Sequence, residues 1–151
     1  MGIGPSASRR DPALSGDGRL LASITEQGGR TRLIIQDQPG GRWRPLRHLE
    51  RLSPQSSPSL SWNGRYVAAL VHRGGRRLVM VEDRLSGKLL RLPLARQLQP
   101  ERVSLAPDGS RLAVQVLQGN QWRVQLFDLA SVLERDPPAG SVIRGGGLFS
   151  R

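Results

Sequence analysis

At 151 residues with 37% hydrophobic side chains, the chain is long enough for one domain that buries roughly 70% of its unfolded surface. It has no cysteine, which removes disulfides, thiolate chemistry and cysteine-based zinc sites, and no apolar run reaches the ~18 residues of a membrane helix. Lys and Arg number 23 against 12 acids, for a net charge of +11, and Lys88 is the only lysine among them. Such a surface suits either plain solvation or an anionic partner.

Residues 1–11 contain no apolar segment of the kind that makes a secretory signal, and read as a flexible tail. Met1-Gly2-Ile3-Gly4-Pro5-Ser6 formally fits a myristoylation pattern, one that a small residue after the start produces by chance. From residue 12 the chain says the same thing three times, over about 12–50, 57–95 and 101–129. The apolar step Leu21-Ala22 recurs at Val67-Ala68 and Leu112-Ala113, at spacings of 46 and 45 residues. Asp17-Gly18, Asn63-Gly64 and Asp108-Gly109 precede the three steps, and Gly28-Gly29, Gly74-Gly75 and Gly119-Asn120 follow them. An apolar run then ends in Asp37, Asp83 or Asp128.

Each unit reads as antiparallel strands. The first is short, at Pro12 to Ser15, Pro58 to Ser61 and Arg102 to Leu105. A turn follows in which Gly or Asn takes positive φ at least cost. The second strand is Leu20 to Ile24, Tyr66 to Val71 or Leu112 to Leu117, nearly all apolar around a central Ala, as a strand covered on both faces requires. The third strand follows the glycine pair. Arg- and Pro-bearing outer strands are expected within Arg42 to Leu49 and Lys88 to Leu94, with no counterpart in the third unit. One helical turn is expected over Ala130 to Glu134, inside a Gly/Pro-rich C-terminal tail, 130–151. A period of about 40–45 residues indicates four-stranded propeller blades. The expected fold is all-β: three consecutive antiparallel blades forming an open, partial β-propeller.

Ala106-Pro107-Asp108-Gly109 with Arg111-Leu112-Ala113, then the glycine pair and the apolar run to Asp128, resembles the TolB-type propeller repeat, a relative of the WD-repeat blade. Ser15-Gly16-Asp17-Gly18 and Ser61-Trp62-Asn63-Gly64 depart from that signature by lacking its proline. The resemblance covers about residues 12–129. It implies a non-enzymatic scaffold for protein–protein interaction, in the periplasm or cell envelope of a bacterium. Two alternatives stay open: a basic module binding nucleic acid or another anionic polymer, and a propeller fragment of a prolyl-oligopeptidase-like hydrolase. Because the family's propellers have six or seven blades, the resemblance also implies a partner protein, such as a second copy joined head to tail to complete six.

Catalytic patterns are missing from the sequence. There is no Gly-x-Ser-x-Gly elbow, no His-Glu-x-x-His and no phosphate-binding loop; Gly145-Gly146-Gly147 reads as tail. His48 and His72 fall in different units and read as exposed polar residues. Asp37, Asp83 and Asp128 suit turn-forming hydrogen bonds better than a ring of carboxylates. Trp43, Trp62 and Trp122 are expected to pack between blades. No cofactor or metal site is expected. The densest basic cluster, Arg73, Arg76 and Arg77 at a hairpin tip, is the candidate for an anion or a partner, since the guanidinium fork suits phosphate and carboxylate. Binding there should weaken steeply with salt.

Overall fold

In the computed structural model, which describes residues 8–138, the three repeats are three separate antiparallel sheets. Blade one contains β1 (Ser8–Leu14), β2 (Leu20–Gln27), β3 (Arg30–Asp37) and β4 (Trp43–Arg44). Blade two contains β5 (Pro54–Leu60), β6 (Tyr66–Arg73), β7 (Arg76–Asp83) and β8 (Leu89–Arg91). Blade three has only β9 (Gln99–Leu105), β10 (Arg111–Gln118) and β11 (Gln121–Asp128). Strand order follows chain order, as in a meander whose first strand lies innermost and whose last lies outermost. Among the described residues no helix is long and apolar enough to cross a membrane.

Turn chemistry explains the hairpins. Both central glycines of Gly28-Gly29 (φ 59° and 77°) and Gly74-Gly75 (φ 57° and 73°) are left-handed, the requirement of a type I′ turn. In the β10–β11 hairpin Gly119 (φ 59°) is positive and Asn120 is not, the type II′ pattern, so Asn120 suffices beside it.

Two apolar layers hold the arc together, one at each junction. Ala22, Ile24, Leu33 and Ile35 of blade one meet Val67, Ala69, Val71, Leu78 and Met80 of blade two. The opposite face of blade two, Ala68, Leu70, Val79 and Val81, meets Leu112, Val114 and Val116 of blade three. Strand alternation explains why β6 from Tyr66 to Val71 and β7 from Leu78 to Val81 are apolar without interruption: both of their faces are covered. Two serines of β5 add a polar clasp. The Ser57 hydroxyl accepts the Val103 N–H (2.9 Å), and the Ser59 hydroxyl accepts the Leu105 N–H (2.9 Å).

The structure departs from the sequence expectations in three places. β1 begins at Ser8, so Ser8 to Arg10, expected in the tail, pair with β2, and the pairing resumes at Ala13 after a bulge at Asp11 (φ 54°). Their polar composition conceals a strand held by Arg9, whose guanidinium donates to Ser23 (3.0 Å) and Gln36 (2.6 Å). The outer strands are shorter than expected. In addition, residues 130–138, expected as tail, are docked: after the expected single turn, where Leu129 C=O accepts the N–H of Val132 and Leu133, Asp136 is buried. The myristoylation pattern, Gly145-Gly146-Gly147 and the remaining tail residues lie outside the described residues.

Candidate functional site

The arginine cluster is not one patch. Arg73 and Arg76 are cross-strand partners, while Arg77 pairs with His72, so alternation sends Arg77 to the other face of blade two. Arg77 is also committed, forming an ion pair with Glu101 (2.8 Å) and donating to Pro100 C=O (3.2 Å). Arg76 and Arg77 do border a cavity of about 330 Å³ where β8 leaves β7. Its other lining residues are Arg91 and the apolar Leu78, Val79, Leu92, Pro93 and Leu94. That cavity has three arginines and no acid in its lining. Sequence reasoning missed Arg91 because it lies 14 residues further on.

The recurring acids close turns, as expected for two of the three. Asp83 accepts from the Leu85 N–H (3.0 Å) and the Ser86 hydroxyl (2.9 Å), and Asp128 from the Ala130 N–H (3.0 Å). Asp37 instead pairs with Arg44 (2.9 Å) and Arg42 (3.6 Å). No carboxylate ring forms, and no cluster of three or more metal-ligating side chains exists among the described residues. His48 and His72 are both exposed and lie in different blades. Trp62 lies against Gly16 of blade one, where an added Cβ would come within 2.6 Å of its ring, and Trp43 stacks under Arg32 at 5.0 Å.

Two buried carboxylates, neither foreseen as a site, link the blades. Glu82, 1% exposed, accepts three backbone N–H groups from the end of blade one: Arg47 (2.8 Å), His48 (3.0 Å) and Leu49 (2.8 Å). Asp136, 5% exposed, reaches back over blade two. It accepts from the Ser61 hydroxyl (2.6 Å), the Asn63 N–H (2.8 Å) and the Asn63 side-chain amide (3.0 Å). Its own N–H donates to Asp108 C=O (2.8 Å), so one residue joins the turns of blades two and three.

Beside this strap Arg65 holds Asp83 by two 3.0 Å bonds, and the Tyr66 hydroxyl donates to Glu134 C=O (2.6 Å). Burial pushes the Tyr66 phenol up to about 12, against the opposing pull of the Arg65 charge. Tyr66 is the only tyrosine, so titration of phenolate absorbance reads this site directly. The expected midpoint is about 12. The raised value stabilises the fold below about pH 10, and that contribution is lost as pH rises through the folded midpoint. A midpoint near 10 would show a solvated ring.

Asp83 behaves oppositely. Burial disfavours its charge, but hydrogen bonds from Arg65 and Ser86 outweigh burial and lower its pKa below the ordinary 3.8. Asp17, Asp37 and Asp108 are lowered as well. Lowered carboxylates stabilise the fold above the unfolded pKa, and the gain is lost as pH falls through the folded values. The urea midpoint should therefore hold from about pH 8 to about pH 5 and fall below about pH 4. A midpoint unchanged at about pH 3 would contradict these ion pairs.

One large surface is bare. On blade three Trp122, Val124 and Leu126 alternate along β11 and are 59%, 71% and 62% exposed. Their cross-strand partners are Leu117, Gln115 and Ala113. The same positions of blade two are Arg77, Val79 and Val81, of which the two valines are buried under blade three. The expectation that Trp122 packs between blades is thus corrected: no following blade covers it among the described residues. β11 also pairs only with β10, whereas β3 and β7 each carry an outer strand.

Three separate blades of this topology define a partial β-propeller. The chain is similar to TolB from Acinetobacter baumannii at TM-score 0.68 and 16% identity, over 89% of this chain and 39% of that one. It is similar to the propeller domain of the Trilobed protease from Pyrococcus furiosus at TM-score 0.64 and 17% identity, covering 89% of this chain and 44% of that one. A putative TolB from Agrobacterium tumefaciens gives TM-score 0.62 at 18% identity, over 83% and 44% of the two chains. The chain therefore spans less than half of each of these proteins, and its blades have the TolB-like propeller fold. No family model and no curated protein matches its sequence.

Proposed function

We propose that the chain is a non-enzymatic propeller scaffold for protein–protein interaction, and that blade three's outer face is its docking surface. The bare Trp122, Val124 and Leu126 carry this reading, because the positions equivalent to Val124 and Leu126, which are Leu33 and Ile35 in blade one and Val79 and Val81 in blade two, are buried under a neighbouring blade. An apolar face left open beside two packed ones marks an interaction site. A bacterial envelope location follows the resemblance to the TolB-type repeat. The anionic-polymer reading rests on the cavity between Arg76, Arg77 and Arg91, and requires binding that weakens steeply with salt and in the Arg76→Ala/Arg91→Ala variant.

Native affinity capture with the wild type and with Leu126→Asp tests the docking surface. A stoichiometric protein partner, lost with Leu126→Asp, is the expected result. A folded chain with no specific protein partner, itself included, would overturn it. The purified chain should hydrolyse neither peptides nor esters; turnover abolished by replacing one Ser or His would contradict the non-enzymatic assignment.

A further inference from the structure

The turn between the first two strands of each blade follows one plan, and blade two lacks the group that completes the other two. In blade one the Asp17 carboxylate accepts the Ser15 hydroxyl (2.6 Å) and the Arg19 N–H (3.0 Å). In blade three the Asp108 carboxylate accepts the Ser110 N–H (2.9 Å). The repeat spacing puts Ser61, Asn63 and Arg65 at the positions of Ser15, Asp17 and Arg19, so in blade two the acid has become an amide while the donors remain.

Asp136 supplies the missing carboxylate from 73 residues away. The Ser61 hydroxyl reaches it at 2.6 Å, as Ser15 reaches Asp17, and the Arg65 N–H reaches it at 3.3 Å, as Arg19 reaches Asp17. The Asn63 side-chain amide is a donor that an acid could not provide, 3.0 Å from the second carboxylate oxygen. An acid at position 63 would set two negative groups side by side, and each would disfavour the charge of the other. The exchange of acid for amide therefore converts a self-sufficient turn into a receptor for a carboxylate. The backbone around that carboxylate is held as well. The Tyr66 hydroxyl donates to Glu134 C=O (2.6 Å), the Asn63 amide to Pro137 C=O, and the Asp136 N–H to Asp108 C=O (2.8 Å). The Arg65 guanidinium meets the Glu134 carboxylate at 3.0 Å.

We propose that the blade-two turn is a binding site for an acidic peptide segment of the form Glu-x-Asp-Pro, filled in this chain by its own residues 134–137 and open to such a segment in trans when they withdraw. The site is separate from the outer face of blade three and does not depend on that face being a docking surface. A short tether keeps the strap at an effective concentration on the order of millimolar, so a free peptide gains the site only once the tethered carboxylate is gone.

The probe is a dye-labelled synthetic peptide of residues 131–138, added to the full chain and followed by fluorescence anisotropy. It should bind the Glu134→Ala/Asp136→Ala chain about tenfold or more tighter than the wild type, the scale of one hydrogen bond to a charged group. The same peptide carrying Asp136→Asn should lose a similar factor. Equal binding to both chains, indifference to that exchange, or no binding to a variant whose circular dichroism is native would overturn the proposal. Asn63→Asp tests it with the strap intact. This substitution returns to blade two the carboxylate that blades one and three carry, so the chain should stay folded while the strap leaves. Trypsin cleavage after Arg135 should then quicken about tenfold or more, the same one-bond scale. Cleavage at the wild-type rate would overturn the proposal even if the double variant failed to fold.

Discussion

Replacing Glu82 by alanine should lower the unfolding free energy by about 3–5 kcal/mol, because it leaves three converging backbone N–H donors without their acceptor. The three N–H groups of Arg47, His48 and Leu49 converge on this one carboxylate, at 2.8 to 3.0 Å. Leu49 is fully buried, so its N–H has no water to turn to. Each orphaned buried donor costs about 1–3 kcal/mol. Glu82→Gln keeps the shape but exchanges one acceptor oxygen for a donor, which would point at the Arg47 N–H or at the other two. About half the loss is expected there. Urea midpoints measure the sizes, and amide exchange at residues 47 to 49 localises them. A loss under about 1 kcal/mol with those amides still protected would mean that Glu82 does not join the blades.

The repeat itself hides that latch. Counting 46 residues back from Glu82 reaches Gln36, and 45 forward reaches Phe127, so the position is acid, amide and aromatic in turn. A pattern that looks for sameness discards the residue that differs. Its partners lie 33 to 35 residues away, beyond any local periodicity. What was legible is what local chemistry sets: the glycine turns, the alternation of β6 and β7, and hence the all-β arc. The arginine cluster was legible as charge but not as geometry, since neighbours on a strand face opposite ways. Arg77 is spent on Glu101, while Arg91 arrives from another strand. The bare face of blade three needed the structure too, because Trp122, Val124 and Leu126 read like any buried strand, and only the fold shows that none of the described residues covers them.

Replacing Asp136 by alanine should cost about 2–4 kcal/mol and release the strap, an effect that reaches past its own hydrogen bonds. Its carboxylate serves Ser61 and Asn63, and Ser61 Oγ in turn accepts the Tyr66 N–H (2.9 Å). Two residues before it, Glu134 C=O receives the Tyr66 hydroxyl and the Glu134 carboxylate meets Arg65 (3.0 Å). If the strap lifts, Tyr66 loses both its cover and its acceptor, so its phenol should titrate nearer 10 than the 12 of the intact fold. Stability and titration should therefore move together in Asp136→Ala. Asn63→Ala alone should give a smaller stability loss, since Ser61 still bonds the carboxylate. Combined with Asp136→Ala it should add little, because one network is broken once. A loosely draped tail predicts the opposite: a change under about 0.5 kcal/mol, an unmoved Tyr66 midpoint and additive single variants. The two outcomes separate a structural latch from a chance contact.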